Sequence, residues 1–556
     1  MSRFLKLQLN RACYVSLLEA KDIKSGVIEF KHYMKRLNLF MLNPFYLKKC
    51  LKEKKQARDI FIEKIKKEAK KHFDEKNYQE ALKLYKIIFD VDSKDVENIK
   101  NYIAALEKTE QFDLQFGLAK YLVKIDKSAE NYKLLSEACK LIKDFKKAIL
   151  FFEKALSIDK KTELDANENT KLGFLYFNYY TTFTHNPLHI KKASECFEAA
   201  LKSSPNNKGY LMNAIFGTRQ QKDYEAEKKH WEVHFKNNHA DKNDEFIYSS
   251  SCCLRGDIPE WEKYYEARYL KPSSISNYQT TDKPRYDGTQ DIHDKTLLVL
   301  CEQGFGDTFL MYGYMQRLAK IAKKVIFYVQ NSTYELLKNC DENIEIQCAK
   351  TKKKEEIEHD YFMLCMSIPN VLKLTKENLS VGAGYIKTDE ALVEKYKKEY
   401  FNNQKLKVGI AFLGNKNGQQ KRDIPLKKLA LLDKLKDVQF YCFTKDVEDK
   451  ELKIFKRNKV VNIAKSFDDF AHTAAALECC DLVISSDNCI LNLAGAIGKK
   501  TLGVFNYHYE FRWYDLNEND CGWFKCVKPF VNDEYNNWDK TLGRVIEEVE
   551  IIKKNG

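Results

Sequence analysis

Two patterns of apolar spacing divide this chain. Through the first 270 residues apolar positions recur at helical spacing, as in Ala81-Leu82-x-x-Tyr85 and Ala148-Ile149-x-x-Phe152-x-x-Ala155-Leu156. Residues three and four apart share a helix face, so these stretches predict amphipathic helices. Farther along, short apolar runs at 297–301, 325–330, 361–366, 408–412, 438–443, 481–485 and 501–505 alternate with helical stretches. Strands separated by helices imply βαβ units and parallel sheets. A charged helical run at 389–405 splits this region into two halves of similar size, so two doubly wound domains are expected. The polar, turn-rich stretch from Lys271-Pro272-Ser273-Ser274 through Pro284-Arg285-Tyr286-Asp287-Gly288 reads as the connector between the two patterns.

The helical half repeats. Its aromatic anchors Tyr78, Phe112 and Phe145 stand 112 − 78 = 34 and 145 − 112 = 33 residues apart. That period and pattern resemble tetratricopeptide repeats, in which a small residue marks a close helix crossing and an aromatic fills the next gap. Ala69 and Ser136 occupy the small position in two units. Leu172-Gly173 with Ala193-x-x-x-Phe197-x-x-Ala200-Leu201 makes a further unit with extra residues between its helices. Two more hairpins lie around Tyr224-x-Ala226 and Trp261-x-x-x-Tyr265-x-Ala267. These are core residues first, yet together they build a groove suited to an extended peptide. The expected organisation is a helical region at 1–60, open to degenerate repeats, a repeat array at 61–270, a connector at 271–290, and α/β domains at 291–390 and 400–556.

Composition narrows the partners. The formal charge of +14 invites a nucleic-acid reading, but the lysines are interleaved with glutamates, as in KKKEEIEHD at 352–360. Such runs are solvated helix faces, and no RNA-binding aromatic signature or zinc-finger spacing accompanies them. No nucleic acid is expected. No run approaches the roughly 18 apolar residues of a membrane span, so no transmembrane segment is expected, while peripheral contact with an anionic membrane stays open. The N-terminal stretch, interrupted by Lys6, Gln8, Asn10 and Arg11, is a poor secretory signal. Sixteen cysteines show no C-x-x-C spacing and sit mostly in apolar runs. A reduced, cytoplasmic setting without bound metal is expected.

Three segments carry candidate chemistry. In LLVLCEQGFGDTFLMYG (297–313) a strand runs into a glycine turn, and Asp307-Thr308 opens a helix. This places backbone N–H groups and a carboxylate at the rim of a sheet, where α/β proteins bind substrates, although any parallel crossover shares the pattern. In DLVISSDNCILNLAGAIG (481–498) a strand ends at Ser485, Asp487 stands at the helix N-cap, and Gly498 is the expected stop. A helix start at a strand's C-terminal end attracts phosphate; the plainer alternative is that Asp487 only caps. In VGIAFLGNK (408–416) and KRDIPL (421–426) a glycine-turned strand precedes cations that can neutralise a pyrophosphate or form only a solvated basic loop.

These motifs, with EQGFGDT, FLGN with RDIPL, DFAHTAAALECCDLVISSDNCILNLAGAIGKKT and FRWYDLNENDCGWF in this order, resemble bacterial tetratricopeptide-repeat glycosyltransferases. The catalytic half is similar to ADP-heptose:lipopolysaccharide heptosyltransferases and O-linked N-acetylglucosamine-transferase-like relatives. The resemblance covers roughly residues 50–545. It implies a GT-B fold of two Rossmann-like domains, a nucleotide-sugar donor, no metal or other cofactor, and a protein or surface-glycan acceptor presented by the repeat groove. Carried over by position, Asp307 becomes the catalytic base, and Glu302, Gly304, Gly306 and Thr308 line the cleft. Asn415, Lys416, Arg422, Ser486, Asp487, Asn488 and Arg512 serve donor binding, with Trp513 close by. The chain departs from the family where Asn488 replaces a threonine, Asn492 a histidine and His472 an aspartate. The alternatives are a non-catalytic repeat scaffold and a lipopolysaccharide-core transferase.

Overall fold

The computed structural model describes residues 44–160, 163–184, 186–237, 240–270, 280–414, 422–514, 516 and 521–555, with side chains from residue 59 onward. It divides into two compact units, one ending at Thr182 and the other beginning at Phe183.

The first unit is a run of paired helices, from Pro44–Asp74 with Tyr78–Val91, through Val96–Lys108 with Phe112–Ile125 and Ala129–Leu141 with Phe145–Asp159, to Ala166–Tyr179. Each hairpin turns in the same way. Lys76, Glu110 and Lys143 adopt left-handed backbone (φ 62°, 57° and 62°). The next N–H then reaches back across the turn, from Asn77 to the His72 carbonyl (2.8 Å), Gln111 to Leu106 (2.9 Å) and Asp144 to Cys139 (2.9 Å). This satisfies carbonyls that a helix end leaves orphaned. The anchors Tyr78, Phe112 and Phe145 open the second helix of each pair. Ala69 and Ser136 are buried where the helices cross, the Ser136 hydroxyl donating to the Ala148 carbonyl.

The break at Thr182/Phe183 lies inside the stretch 61–270 read as one array, and aromatic burial explains it. The remaining helices, Pro187–Ser203, Lys208–Gln220, Tyr224–Asn237, Lys242–Leu254 and Ile258–Tyr265, belong to the second unit. Trp231, Tyr248, Trp261 and Tyr265 share one apolar cluster with Leu297, Val299, Phe309 and Trp523 of the α/β region. The buried Arg268 guanidinium adds a bidentate pair with Glu302 (2.7 and 3.0 Å) and a bond to the Ser367 hydroxyl (2.9 Å).

The α/β region holds two all-parallel sheets. The first has β1 (Thr296–Leu300), β2 (Lys324–Tyr328), β3 (Ile344–Gln347) and β4 (Tyr361–Leu364) in the order β3-β2-β1-β4. The second has β5 (Leu406–Ala411), β6 (Val438–Cys442), β7 (Val460–Val461), β8 (Leu482–Ser486), β9 (Thr501–Phe505) and β10 (Val527–Val531) in the order β10-β9-β8-β5-β6-β7. Counted from β5, this is the 3-2-1-4-5-6 winding of dinucleotide-binding folds, and the first sheet repeats its initial 3-2-1-4. Two doubly wound domains therefore follow the helical repeats, the arrangement expected of GT-B proteins. All seven expected strands form; β3, β7 and β10 are additional.

Side chains alternate between the faces of each sheet. Leu298 and Leu300 pack under the first sheet, while Leu297 and Val299 face the cluster shared with the helices. Under the second sheet Val408, Ile410, Phe440, Ile484 and Val504 meet Trp538, Leu542 and Val545 of the last helix, Trp538–Asn555. Two helices bring the domains together: Phe305–Tyr312, which follows β1, packs on Cys489–Ile497, which follows β8. Gly306 permits this, since a Cβ there would stand 2.8 Å from Asn492 Nδ2.

Candidate functional site

In doubly wound sheets ligands bind outside the carboxyl ends of the strands, beside the point where the winding reverses. The reversals here lie between β1 and β4 and between β5 and β8. The segments after β1, β8 and β9 converge there.

After β1, Gln303 takes a left-handed conformation (φ 61°) and Gly304 caps the helix Phe305–Tyr312. The helix begins two residues before the expected start, which puts Asp307 at its third position. There Asp307 Oδ2 accepts the Gly304 N–H at 2.9 Å. Its other oxygen, Oδ1, is paired with Arg512 Nη1, and the two side chains are only 13% and 16% exposed. Arg512 also donates from Nη1 to Gln303 Oε1 at 2.5 Å and from Nε to Glu510 Oε2 at 2.8 Å. Trp523 Nε1 donates to the Arg512 carbonyl (2.7 Å), which fixes the backbone beneath the guanidinium.

After β8, Asp487 is buried and its Oδ1 accepts Trp513 Nε1–H at 2.8 Å. Arg422 Nε stands 3.6 Å from Oδ2, an ion pair beyond hydrogen-bond reach, and among the described residues that oxygen accepts no hydrogen bond. The expectation that Asp487 caps the following helix is corrected. Asn488 is the cap, its Oδ1 accepting the N–H groups of Ile490 (2.8 Å) and Leu491 (3.3 Å). The strand runs on through Ser486, which moves the turn one residue later and leaves Asp487 to Trp513. Gly498 ends the helix with φ 85°, as expected.

The site thus gathers three carboxylates, Asp307, Asp487 and Glu510, around two guanidinium groups, Arg512 and Arg422. Burial raises the carboxyls of Asp307 and Asp487 above the usual range; Arg512 and the Gly304 N–H oppose this at Asp307, and Arg422 at Asp487. Desolvation disfavours the charged form of each, and a carboxylate held this way is a stronger proton acceptor than one in water. Arg512 stays protonated, its pKa raised well above the ordinary value because the Coulombic pull of Asp307 and Glu510 outweighs the cost of burial.

Several residues expected to line the cleft or to bind the donor have partners within the protein. Glu302 turns inward to Arg268 and accepts the Met366 N–H (2.9 Å), because burial of that guanidinium demands a carboxylate. Thr308 is fully buried and donates to Gln330 Oε1 (2.9 Å). Gly304 donates its N–H to Asp307, and Gly306 lies at the helix crossing. Ser486 is buried and accepts from Asn488 Nδ2 (3.2 Å). Asn415 and Lys416 lie outside the described residues.

Sequence reasoning overlooked Glu510 and Gln303. Glu510 stands two residues before Arg512, in an acid-x-Arg-Trp order whose charge alternation was the available signal. Gln303 gave no signal, since only its left-handed backbone aims it at Arg512 and at the Tyr265 hydroxyl, to which its amide donates.

No family profile matches the chain. Among curated proteins it is similar to Protein FlbA of Caulobacter vibrioides, 23% identical over 330 residues, 54% of this chain and 54% of the relative. The chain spans about half the length of that relative. Among solved structures it is similar to the glycosyl transferase family 9 protein from Veillonella parvula, with TM-score 0.35 and 12% identity over 44% of this chain and 88% of that one. MamA from Desulfovibrio magneticus is similar at TM-score 0.27 and 16% identity over 32% and 92%. PilF from Pseudomonas aeruginosa is similar at TM-score 0.31 and 12% identity over 39% and 96%. Scores this low do not establish a shared fold, and the fold stands on its own strand order and helix pairing.

Proposed function

We propose that the protein is a glycosyltransferase that moves a sugar from a nucleotide-diphosphate donor to a hydroxyl on a protein or surface glycan presented by the helical repeats. The observation that carries this reading is the Asp307–Arg512 pair at the carboxyl ends of two doubly wound sheets. It sets a proton acceptor from one domain against a cation from the other.

In this mechanism Asp307 takes the acceptor hydroxyl proton while the acceptor oxygen bonds to the anomeric carbon. The bond from that carbon to the phosphate oxygen breaks, and the diphosphate leaves with the electron pair. Arg512 and Arg422 then meet the developing charge. The buried guanidinium has two tasks: before the donor arrives it neutralises Asp307, and a diphosphate drawing it away frees the carboxylate as a base. The donor diphosphate lies, in this reading, against the start of the helix Cys489–Ile497, where the helix dipole favours anions.

A scaffold without turnover is the competing reading, because an idle site also satisfies its own charges as the Asp307–Arg512 pair does. Incubating the protein with a panel of nucleotide sugars and measuring nucleotide release separates the two. Release with one donor supports transfer, and no release with any donor supports the scaffold.

A further inference from the structure

Within the second unit, a cavity of about 310 Å³ is lined by Lys222, Asp223, Tyr224, Glu225, Leu254, Arg255 and Tyr509, and Asp307 is not part of it. Lys222 sits in the turn between the helices Lys208–Gln220 and Tyr224–Asn237 with left-handed backbone (φ 59°). Its ammonium lies 4.0 Å from the ring centre of Tyr507 and 5.0 Å from that of Tyr509. Rings hold a cation but accept no strong hydrogen bond, and among the described residues no carboxylate pairs with this ammonium. Burial pushes Lys222 down to about 8, the mark of an ammonium lacking an anion. Arg255, the second cation, contacts the Cys252 thiol, stacks on Tyr248 and feels the charge of Glu227, while among the described residues its buried Nη1 has no hydrogen-bond partner.

An ammonium held by rings and a guanidinium nitrogen without a hydrogen-bond partner meet in one concave site, and both suit an anion. Asp223 and Glu225 at the rim repel a doubly charged ligand more than a singly charged one, which favours carboxylate over phosphate. The cavity is built on hairpin turns of the helical repeats, whose stacked faces suit an extended chain. Nothing in the donor chemistry uses it.

We propose that this cavity binds a carboxylate of the acceptor polypeptide, from an acidic side chain or a chain end, between Lys222 and Arg255. This deepens the acceptor half of the proposed function. The site also adjoins the segment that carries the catalytic cation, since Tyr507 and Tyr509 lead directly to Glu510 and Arg512.

The test measures binding alone, without donor, so it stands apart from whether the protein transfers sugar. Three blocked peptides are titrated into the full chain by calorimetry: acetyl-Gly-Asp-Gly-amide, its Asn counterpart, and acetyl-Gly-Gly-Gly with a free carboxylate. Loss of a charge-assisted bond corresponds to an affinity drop on the order of 10- to 100-fold. The Asn peptide is expected to bind more weakly than the Asp peptide by that factor. Lys222→Gln and Arg255→Gln are each expected to lose it too, at unchanged melting temperature. Preference for the Asp peptide or for the free chain end identifies the source of the carboxylate. Equal affinity of Asp and Asn peptides, parental affinity in Lys222→Gln, or no binding up to about 10 mM overturns the proposal. Lys222→Gln decides the matter should Arg255→Gln fail to fold.

Discussion

Replacing Arg512 with methionine keeps the bulk of the side chain and removes the charge that holds the cleft together. The guanidinium donates to Asp307, Glu510 and Gln303, and it is 16% exposed against 13% for Asp307 and 7% for Glu510. At such burial solvent screens little, and leaving a buried ion without its partner costs about 3–5 kcal/mol. The loss is pH-dependent with a definite sign. Asp307 already titrates above the usual carboxylate range because of burial, and Arg512 is the first of the groups pulling it back. Without Arg512 its folded-state pKa rises further from the unfolded value. A carboxyl raised in the folded state stabilises in its protonated form, and that contribution is lost as pH rises through the folded pKa. The deficit of Arg512→Met relative to the parent should therefore grow as pH rises above the ordinary carboxylate range, and be larger at about pH 8 than at about pH 5. Urea unfolding followed by tryptophan fluorescence reads it cleanly, since all five tryptophans (231, 261, 513, 523 and 538) lie in the second unit. A deficit that is the same at both pH values, or below about 1 kcal/mol, refutes the reasoning about the buried pair.

Arg422→Ala should weaken donor binding on the order of 10- to 100-fold and flatten its salt dependence, measured by calorimetric titration at two ionic strengths. Unchanged affinity would remove Arg422 from the donor site. A fragment starting at residue 183 should fold, whereas one starting at Pro284 should aggregate, because it loses Trp231, Trp261 and Arg268 from the shared core; circular dichroism and size-exclusion chromatography check both. Arg268→Met and Glu302→Gln should each destabilise by about 3–5 kcal/mol, and the double variant by less than their sum, since removing both charges spares the survivor. Urea midpoints of the three variants test this, and strict additivity counts against a coupled buried pair.

Much of the fold was legible because its signals are local. The 34- and 33-residue spacing of Tyr78, Phe112 and Phe145 marks a turn that closes through the same backbone bond in each hairpin. The apolar runs that became β1, β2, β4, β5, β6, β8 and β9 are buried on both faces, which is why they read as continuous. β3 alternates instead, Ile344 and Ile346 in and Glu345 and Gln347 out, while β7 has only two residues. β10 carries Pro529, which a central strand rejects but an edge strand tolerates. The unit boundary was not legible, because the tryptophans that decide it pack across about 260 residues of sequence, as Trp261 does on Trp523. At the site, Asp307 and Arg512 were each marked by their motifs, but their pairing was not. Nor could spacing show that Glu302 faces Arg268 or that Asn488 rather than Asp487 caps its helix.

The central claim is that Asp307 accepts a proton during glycosyl transfer, and one comparison tests it most directly. Parent and Asp307→Asn are assayed for release of nucleotide and appearance of glycosylated acceptor with the donor found by screening, and donor affinity is measured in parallel. Loss of a general base should slow turnover by roughly 10²–10⁴-fold while donor affinity stays near parental. The parent's rate should fall on acidification at a pH above the ordinary aspartate range, in keeping with the upward shift of Asp307. Parental turnover in Asp307→Asn would contradict the account and reduce Asp307 to the hydrogen-bond partner of Gly304 and Arg512.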